Sequence, residues 1–453
     1  MKLIIHKSSF SDILLSNQEY FPDKKYRFLK YVLKIPVAHG ILIENFLTSQ
    51  LIFLNEDEYY NDCITDNEII KFLIENWYLV PEDNNDKELC FLLNSFRRAL
   101  QSDKKMINHY TILSTTDCNA RCFYCYEHGI AKKNMNKEIA INVAKFIVEN
   151  SHGNSVTIQW FGGEPLYNIE PIDLITNYLK ANDISFSSRI ITNGYLFDSK
   201  VIEKAISLWN VNTVQITLDG TEKIYNKYKA YIYHNDPNPF IRVINNIKTL
   251  INNNICVYLR INLDIHNQSN VYELAEYIYN KIGPSRFLHV YTYPLYENHK
   301  LINISRDIEE KEKIYRKLYD FECFLYRSKL KIINPINNKL KNNVCIADHN
   351  NAVVILPDGK ITKCDHMLES AFIGDIYNGI QFESDFITYW KIQNDPEDKC
   401  YECPIYPVCL KLKNCPDRSR LPCVASERKY KIEQKKWSII EAYNRFIKDT
   451  ADV

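Results

Sequence analysis

The sequence predicts an α/β fold in which strands and helices alternate through the middle of the chain. Short β-rich runs recur six times, several of them ending at glycine or asparagine, and helical stretches separate them. This rhythm is typical of βαβ units, which build a parallel sheet. The predicted strands begin near residues 110, 156, 188, 211, 256 and 286.

The predicted elements follow one another in a regular order. The first strand, residues 110–114, precedes a cysteine-containing loop and a helix over about residues 137–150. The run SVTIQWF then ends at two glycines, and SRIITNG follows over residues 188–194. The last three runs cover residues 211–220, 256–267 and 286–296. Because barrel enzymes build their sites at the C-terminal ends of strands, the residues after each run are the first candidates for a site.

Length and charge limit the function classes. The chain has 453 residues, enough for two or three domains, and its 56 basic residues balance 56 acidic ones. This balance gives no indication of nucleic acid or an acidic lipid surface as a partner. No apolar run reaches the roughly 18–20 residues that cross a bilayer, and the N-terminal segment turns polar too early for a signal peptide. We therefore expect a cytoplasmic protein, without a nucleic-acid or membrane partner, whose 14 cysteines are reduced.

Three cysteines, Cys118, Cys122 and Cys125, stand in a C-x3-C-x2-C spacing after the first predicted strand. A four-iron cluster usually takes four thiolates, whereas this loop supplies three and the next cysteine is Cys256. One iron then stays open, and the amine and carboxylate of S-adenosylmethionine (SAM) can chelate it. An electron passed into the C–S bond of SAM yields methionine and a 5′-deoxyadenosyl radical. A zinc site is the alternative, although zinc loops favour paired C-x2-C units.

The triplet, with Tyr124 before its last cysteine, resembles the signature of the radical SAM superfamily. The resemblance implies an open partial (β/α)6 TIM-like barrel over residues 106–330. It also implies that a [4Fe–4S] cluster on the three thiolates binds SAM. Some 40 residues after the triplet, Gly162, Gly163 and Glu164 resemble the family motif that holds the methionyl amine. A plain strand-end turn is the alternative for these three residues.

The run VNTVQITLDG resembles the family's S-L-D-G strand, with Thr217 in the place of serine. Thr217 and Asp219 are thereby candidates for contacts with the ribose of SAM or with the substrate, and a backbone-capping turn is the alternative. The family usually has an arginine shortly after this strand. Here Lys229 stands in the matching region, with Arg242 as a rival. A lysine lacks the planar fork of arginine, so Lys229 as the contact for the carboxylate of SAM departs from the family's pattern.

A second cysteine group lies near the C-terminus. The segment AVVILPDGKITKC within it predicts a β-hairpin with a Pro-Asp-Gly turn. The group resembles the seven-cysteine SPASM extension of radical SAM enzymes that act on peptides and proteins. Its pattern is Cys345-x13-Gly359-x4-Cys364, then Cys400-x2-Cys403-x5-Cys409-x5-Cys415-x7-Cys423.

This resemblance implies two auxiliary [4Fe–4S] clusters, and therefore three clusters in all. Some members add a thiol about six residues before the first cysteine, where this chain has Lys339. The first auxiliary cluster then either keeps an open iron or is completed by a distant residue such as Cys323. Zinc is again the alternative. The implied ligands are Cys345, Cys364 and Cys415 for auxiliary cluster I, and Cys400, Cys403, Cys409 and Cys423 for auxiliary cluster II.

Asp365 directly follows Cys364. In the anaerobic sulfatase-maturing members of the family, an aspartate at this place is a proposed base. The resemblance thus implies that Asp365 could take a proton from a Cys or Ser of the substrate. A solvated acid at the end of the hairpin is the alternative. His349 and His366 are usable as ligands or bases and are more often structural.

The two ends of the chain predict separate units. Residues 1–105 predict an N-terminal α+β domain with strands at 31–36, 41–45 and 50–54, a helix at 66–76 and a short strand in WYLVPED. This domain resembles the N-terminal regions of peptide maturases that add a leader peptide to a sheet edge. A domain that only shields the barrel is the alternative. Residues 331–425 form the predicted SPASM domain. Residues 426–453 predict a C-terminal helix whose apolar residues pack onto the barrel, namely Trp437, Ile440, Tyr443 and Phe446.

These features predict an enzyme that modifies a ribosomally synthesised peptide by hydrogen abstraction, forming a thioether or C–C crosslink. The expected partners are a precursor peptide or protein and an external reductant such as flavodoxin or ferredoxin. An anaerobic sulfatase-maturing, formylglycine-generating enzyme is the first alternative, favoured by Asp365. An iron–sulfur electron carrier or peptide-binding scaffold is the second.

Overall fold

The structure is a computed structural model and describes most of the chain. Two of the predicted cluster ligands, Cys345 and Cys415, and also Lys339, lie outside the described residues. The described ranges are 1–8, 15–60, 63–101, 106–264, 267–295, 304–337, 346–349, 351–370, 372–381, 398–409 and 422–451.

The chain begins with a small α+β unit. Strands β1, β5, β4 and β3 form one antiparallel sheet in that order, and β2 pairs with β6. The predicted strands at 31–36, 41–45 and 50–54 are confirmed to within a residue, and β6 confirms the predicted short strand in WYLVPED, whereas β1 and β2 were not predicted. The elements are β1 (Lys2–Ile5), β2 (Tyr26–Phe28), β3 (Val32–Val37), β4 (Gly40–Asn45), β5 (Gln50–Asn55), α1 (Asn67–Glu75), β6 (Leu79–Pro81) and α2 (Asp86–Gln101).

Helix α1 shows why the sequence begins a helix where it does. The carboxylate of Asp66 accepts hydrogen bonds from the main-chain N–H groups of Glu68 and Ile69 at 2.8 and 3.1 Å. Such a cap satisfies donors that the first helical turn leaves without partners. Ile69, Leu73 and Ile74 then face the core, so the predicted helix over 66–76 is confirmed.

Six parallel strands form the centre of the molecule in the order β12-β11-β10-β9-β8-β7. They confirm the predicted α/β class and the succession of βα units. Two predicted strands end earlier than expected, at Thr217 and Leu263, because polar loop residues follow. The strands are β7 (His109–Thr115), β8 (Val156–Gly162), β9 (Phe186–Thr192), β10 (Val211–Thr217), β11 (Cys256–Leu263) and β12 (Leu288–Pro294).

Helices connect these strands, as parallel pairing requires. A further helix follows the last strand of the set. The helices are α3 (Lys137–Ser151), α4 (Glu170–Ala181), α5 (Ser199–Ser207), α6 (Glu222–Lys229), α7 (Pro239–Asn252), α8 (Gln268–Lys281) and α9 (Ile304–Arg327).

The two faces of the six-stranded sheet differ in chemistry. On one face, alternate side chains such as Ile158, Ile190 and Leu259 are fully buried and join the main hydrophobic core with the helices. The residues between them, such as Gln159 and Arg189, point to the opposite face, which we call the inner face. Many side chains of the inner face are polar or aromatic and only partly buried. The apolar face drives folding, so the inner face is available for binding.

The predicted C-terminal hairpin is confirmed, and it extends the same sheet. Strand β13 pairs in parallel with β7, with Val354 opposite Thr111, and β14 to β16 follow in antiparallel order. Gly359 adopts a positive φ of 82° in the hairpin turn, a conformation that favours glycine. The elements are β13 (Ala352–Ile355), β14 (Lys360–Thr362), β15 (Phe372–Asp375) and β16 (Gly379–Ile380).

The C-terminal helix packs differently from the prediction. A short helix, α10 (Asp398–Tyr401), precedes it, and α11 (Ala425–Ala451) confirms the predicted helical tail. The helix contacts α9 through the stacked rings of Tyr326 and Trp437. It also covers the N-terminal sheet, where Tyr443 stacks on Phe53 at 5.2 Å between ring centroids. The predicted packing onto the barrel alone was therefore incomplete.

No described helix is both long and apolar enough to span a membrane.

Candidate functional site

The three predicted cluster cysteines lie in the loop between β7 and α3, at the C-terminal end of the sheet. We call residues 116–136 the cysteine loop. Its first turn is fixed by short-range hydrogen bonds, because the Asp117 N–H donates to Thr115 Oγ1 at 2.8 Å and the Cys118 N–H to Asp117 Oδ1 at 2.8 Å. The ammonium of Lys132 pairs with the same carboxylate at 2.8 Å. The loop is thus held on the strand end by main-chain and side-chain contacts.

The thiols of Cys118, Cys122 and Cys125 are close enough to influence one another's charge. The pKa of Cys118 is raised to about 12 and that of Cys125 to about 11. Burial is the main cause of both shifts, and the neighbouring thiols contribute to them. Burial also raises the pKa of Cys122, although Lys229 opposes this effect. The Ala120 N–H donates to Cys118 Sγ at 3.3 Å, as it would to a cluster thiolate. Without a metal these thiols are therefore protonated at neutral pH.

This donor set fits an iron–sulfur cluster. Thiolates are the usual ligands of such clusters, and each binds a different iron, so they need not converge on one point. Within the described part of the chain, no three His, Cys, Asp or Glu side chains are placed to hold a single metal ion. That finding concerns one ion and not a four-iron cube. A four-iron cube usually takes four ligands, and these thiols would supply three of them.

Two predicted glycines bring the end of β8 against the cysteine loop. A Cβ at Gly162 would lie 2.1 Å from the main-chain oxygen of Thr115, and one at Gly163 would lie 2.3 Å from that of Asp117. Only glycine permits such an approach. The closeness allows two main-chain hydrogen bonds, from the Gly163 N–H to Thr115 at 3.1 Å and from the Glu164 N–H to Asp117 at 2.9 Å.

Glu164, predicted to accept the amine of SAM, is fully buried. One carboxylate oxygen accepts from the Leu166 N–H at 3.1 Å and from the Thr192 hydroxyl at 2.7 Å, and the other accepts from the Asn193 N–H at 2.8 Å. Burial raises the pKa of Glu164 to about 7 in spite of these bonds. In the structure Glu164 joins the ends of β8 and β9. Its contact with SAM stays a prediction.

Sequence reasoning missed Asn193, which follows β9 in the run SRIITNG. Its side-chain amide donates to Asn119 Oδ1 at 2.7 Å and lies 3.9 Å from Cys118 Sγ. Both asparagines are buried beside the first cluster ligand. The signal was an asparagine–glycine pair at a strand end, which by itself is typical of an ordinary turn.

The predicted residues Asp219 and Lys229 meet in a buried ion pair. Lys229 Nζ lies 3.1 Å from Asp219 Oδ2 and donates to the Tyr124 hydroxyl at 2.8 Å, while that hydroxyl also contacts Asp219. Burial lowers the pKa of Lys229, but Asp219 and its other neighbours outweigh burial and hold it well above its ordinary value. The main-chain oxygen of Lys229 accepts from the Arg121 N–H at 2.9 Å. Helix α6 is therefore tied to the cysteine loop twice.

One carboxylate oxygen of Asp219 takes no part in this network. Asp219 Oδ1 is buried and has no hydrogen-bond partner among the described residues. A buried carboxylate oxygen normally accepts a hydrogen bond. A hydroxyl or amine of a ligand at the strand ends would satisfy it, which fits the predicted ribose or substrate contact. Thr217, the last residue of β10, is only partly buried beside it.

Arg242, the rival of Lys229, lies elsewhere. Its guanidinium pairs with Asp236 at 2.8 Å and stacks over the ring of Tyr195 at 4.7 Å. The structure therefore brings Lys229, and not Arg242, to the cysteine loop. Whether Lys229 binds the carboxylate of SAM stays a prediction.

The end of the hairpin meets the cysteine loop. The rings of Tyr126 and His366 stack at 4.2 Å, and the Tyr126 hydroxyl donates to the main-chain oxygen of Asp365 at 3.4 Å and to Glu127 at 3.2 Å. Burial raises the pKa of Glu127 to about 7. The buried Cys364 lies one residue away. The hairpin thus carries Cys364 and the candidate base Asp365 to the cysteine loop, a juxtaposition that spacing along the chain did not reveal.

Four cysteines predicted for auxiliary cluster II gather near the start of α11. Burial raises the pKa of the Cys403 thiol, and Cys409 and Cys400 raise it further, so these three lie near one another. Lys431 Nζ lies 3.9 Å from Cys409 Sγ, and both Cys409 and Cys423 act on its charge. We call these four residues the C-terminal cysteine group. Of the ligands predicted for auxiliary cluster I, only Cys364 is described.

The C-terminal cysteine group also contacts the N-terminal unit. Cys403 and Ile405 belong to one hydrophobic cluster with Leu42 and Phe53 of the N-terminal sheet and Ile439 of α11. Cys323, the suggested distant ligand, lies on α9, where burial raises the pKa of its thiol.

Comparison with known proteins shows which family the central part of the chain is similar to. Residues 112–278 match the model of the family described as the radical SAM superfamily. The Radical SAM cyclopropyl synthase TigE of Paramaledivibacter caminithermalis is 25% identical over 210 residues, which cover 40% of this chain and 44% of that protein. A Cysteine-type anaerobic sulfatase-maturating enzyme of Clostridium novyi is 26% identical over 332 residues, which cover 65% of this chain and 84% of that protein.

The relatives differ in how much of their length matches this chain. The chain spans less than half the length of two curated relatives that it matches, 40% of one and 44% of the other. The solved structure of anSMEcpe with bound AdoMet superposes with a TM-score of 0.56 at 17% identity, and covers 75% of this chain and 99% of that chain. At this identity the likeness shows the fold, which confirms the predicted partial barrel.

Proposed function

We propose that this chain is a radical SAM enzyme that modifies a ribosomally synthesised peptide by forming a thioether or carbon–carbon crosslink. The observation that carries the proposal is the meeting of two cysteine-bearing segments at one end of the sheet. The cysteine loop follows β7, and the hairpin that ends at Cys364 pairs with the same strand. Such an arrangement suits a reaction that removes two electrons from its substrate in separate steps.

The residues at the strand ends fit the group that the family implies. Cys118, Cys122 and Cys125 would hold a [4Fe–4S] cluster, and Gly162 and Gly163 let the end of β8 approach the main chain of Thr115 and Asp117 beside it. The bound cluster with SAM supplies the electron and the carbon radical that abstracts hydrogen. Because the free thiols have raised pKa values, loading the cluster must displace their protons.

The chain's own groups orient and shield this reaction. Asp219 Oδ1 is placed to accept a hydrogen bond from a ribose hydroxyl or a substrate group, and Lys229 pairs with the other oxygen of that carboxylate. Tyr124 fixes both groups against the cysteine loop. Glu164 holds the strand ends together beneath them.

Two auxiliary clusters belong to the same proposal. The C-terminal cysteine group would hold one, with the Lys431 ammonium beside its thiolates. Cys364, together with Cys345 and Cys415, would hold the other near the cysteine loop. These clusters would carry away the second electron as the new bond closes. An electron donor such as flavodoxin or ferredoxin, and a cytoplasmic location, complete the proposal.

Several observations support a peptide as the substrate. TigE, whose name describes a cyclopropyl synthase, is similar over 40% of this chain. A protein with the same fold, anSMEcpe, has been solved with bound AdoMet and the Cp18Cys peptide. The antiparallel sheet β1-β5-β4-β3 has two edge strands, and an extended leader peptide could pair with one of them.

A specific observation favours one other reaction, the conversion of a Cys or Ser to formylglycine. The main-chain oxygen of Asp365 accepts a hydrogen bond from Tyr126, so Asp365, the candidate base for that reaction, stands beside the cysteine loop. The sulfatase-maturating relative also matches 84% of its own length. The additional N-terminal unit and α11, which pack together as one body, favour the crosslinking enzyme because a larger substrate surface is then present.

The test is anaerobic reconstitution of the full chain with iron and sulfide, followed by reaction with SAM, a reductant and short peptides encoded beside its gene. Formation of 5′-deoxyadenosine tests the radical chemistry and excludes a carrier or scaffold. Mass spectrometry and aldehyde labelling then separate the reactions. A crosslink removes two hydrogens, and formylglycine made from Cys also exchanges sulfur for oxygen. Formylglycine made from Ser likewise lacks two hydrogens, but it carries an aldehyde that reacts with a hydrazide probe. A protein that forms no 5′-deoxyadenosine under these conditions contradicts the proposal.

A further inference from the structure

The inner face of the sheet carries positive charge without acidic neighbours on its own strands. Strands β7 to β12 contain two arginines, Arg189 and Arg260, and no Asp, Glu or Lys. Both arginines alternate with buried core residues, Ile190 on β9 and Leu259 on β11, so both point to the inner face. This charge is not needed for packing, since the core lies on the other side.

Arg189 is held in one orientation by a short chain of side chains. Its Nε donates to Gln159 Oε1 at 2.6 Å, and Nη2 contacts the same oxygen. The Gln159 amide in turn donates to the Thr111 hydroxyl at 3.3 Å. Gln159 therefore covers one edge of the guanidinium. The opposite edge, between Nη1 and Nη2, has no hydrogen-bond partner among the described residues.

That open edge lacks a permanent counter-ion. Burial lowers the pKa of Arg189, and Asp365 and the tyrosines Tyr258 and Tyr291 oppose this effect. None of the ion pairs within 4.0 Å that the described residues form includes Arg189. Arg189 is exposed on the inner face, so a ligand can reach it. A guanidinium without a paired anion at such a place is favourable for a carboxylate.

Arg260 lies nearer the strand ends on the same face. It is opposite Thr217 in the sheet register, its Nε donates to Asn262 at 2.8 Å, and its guanidinium stacks on Tyr293 at 4.0 Å. Tyr291 is linked to both arginines, because each of them lowers the pKa that burial raises. Arg189 is four residues before Asn193, so it lies about 13 Å deeper along β9. A side chain that reaches Arg189 passes the cysteine loop on its way.

We propose that Arg189, with Arg260 above it, binds a carboxylate of the substrate and thereby sets which peptide residue is held beside the cysteine loop. The carboxylate belongs either to an Asp or Glu side chain or to the C-terminus of the peptide. A planar carboxylate matches the open guanidinium edge with two parallel hydrogen bonds. This inference rests on the proposed peptide substrate and names its chemistry.

The test uses the anaerobically reconstituted full chain with SAM present and three dye-labelled pentapeptides. The first has a central Glu and an amidated C-terminus, the second has Gln in that place, and the third has the central Gln with a free C-terminal carboxylate. Fluorescence anisotropy gives each Kd. We expect one of the two carboxylate-bearing peptides to bind about tenfold more tightly than the neutral one, and which of them does identifies the source of the carboxylate.

Variants assign that preference to the site. Arg189→Gln removes the preference, and Arg189→Lys retains only part of it, because lysine keeps the charge but not the fork. Arg445→Gln serves as the matched control, since Arg445 is exposed on α11 and pairs with Glu441. Equal binding of all three peptides to the wild-type chain overturns the inference, and so does an unchanged preference in Arg189→Gln.

Failure of the inference is distinguishable from failure of the proposed function. The peptide comparison is a binding measurement and needs no turnover. Absence of 5′-deoxyadenosine from the same preparation contradicts the proposed chemistry and leaves the carboxylate preference to stand or fall by the Kd values alone.

Discussion

The cysteine loop and the C-terminal cysteine group present the same kind of ligand by different means. In the loop, three thiols fall within eight residues, and main-chain hydrogen bonds join it to the end of β8 and to α6. In the C-terminal cysteine group, the thiols are spread over 24 residues and are held by packing between α11 and the N-terminal sheet. The difference teaches that the first site is specified locally, whereas the second exists only when distant parts of the chain have assembled.

The two regions also differ in electrostatics. At the cysteine loop, burial raises the pKa of Glu164 to about 7. Beside the C-terminal cysteine group, burial also acts to raise the pKa of Glu427, but Lys431 and Lys311 outweigh it and lower the value to about 2. The carboxyl of Glu164 therefore resists ionisation, whereas the two lysines stabilise the ionised form of Glu427.

The largest expected effect separates the two regions by activity. Cys118→Ala should abolish 5′-deoxyadenosine formation and remove about one third of the iron if the chain holds the three proposed clusters. Under the proposed mechanism an auxiliary cluster takes the second electron after hydrogen abstraction, so Cys403→Ala should leave SAM cleavage within about tenfold of wild type and abolish peptide product. Iron analysis and product quantification check both. An equal loss of SAM cleavage in the two variants would show that the regions are not independent.

The next effect concerns the ion pair that ties α6 to the cysteine loop. Lys229→Met leaves Asp219 buried without its partner and should destabilise the chain by about 3–5 kcal/mol. Urea unfolding of the metal-free protein measures the loss. Lys204→Met is the control, because its pair with Asp173 is partly exposed and should contribute less than about 1 kcal/mol. Similar losses in both variants would argue against a special role for the buried pair.

The C-terminal region should depend on pH through Glu427. Its folded pKa lies below its ordinary value of 4.5, so its contribution to stability is present above that value and is lost as the pH falls toward 2. Between about pH 5 and about pH 3, wild type should lose about 2 kcal/mol relative to Glu427→Gln. Urea unfolding at several pH values checks this, with Glu441→Gln following wild type. A constant difference between wild type and Glu427→Gln contradicts the assignment.

The smallest expected effect tests the close approach at the cysteine loop. Gly163→Ala places a Cβ against the main chain of Asp117 and should cost about 1–3 kcal/mol of stability, with a loss of SAM cleavage. Gly153→Asn is the matched control. Gly153 has a positive φ of 77°, and nothing lies within 4 Å of its added Cβ. Asparagine tolerates that conformation, so little change is expected.

Much of the fold was predictable because it rests on local patterns. The six central strands, α11 and the hairpin around Gly359 each follow from periodicity or turn residues within a short window. The cysteine triplet was predictable for the same reason, since its spacing is contained in eight residues. The predicted strand ends were less accurate, as at Thr217 and Leu263, because a polar residue can belong either to the end of a strand or to the loop that follows.

The remainder depends on contacts between distant residues. The pairing of β13 with β7 joins segments more than 200 residues apart, and no local signal marks it. The partner of Lys229 is Asp219, which was predicted as a separate contact and not as its counter-ion. In the sequence, Arg189 resembles an ordinary strand residue and Asn193 an ordinary turn residue. Their roles depend on residues that the fold brings next to them.

The parallel pairing of β13 with β7 has a mechanical consequence. One continuous ten-stranded sheet runs from the catalytic strands into the hairpin that ends at Cys364, so no hinge can open between them without breaking main-chain hydrogen bonds. Electron tunnelling slows steeply as the gap between donor and acceptor widens. A redox centre on Cys364 would therefore keep a constant tunnelling distance to the cysteine loop through every turnover.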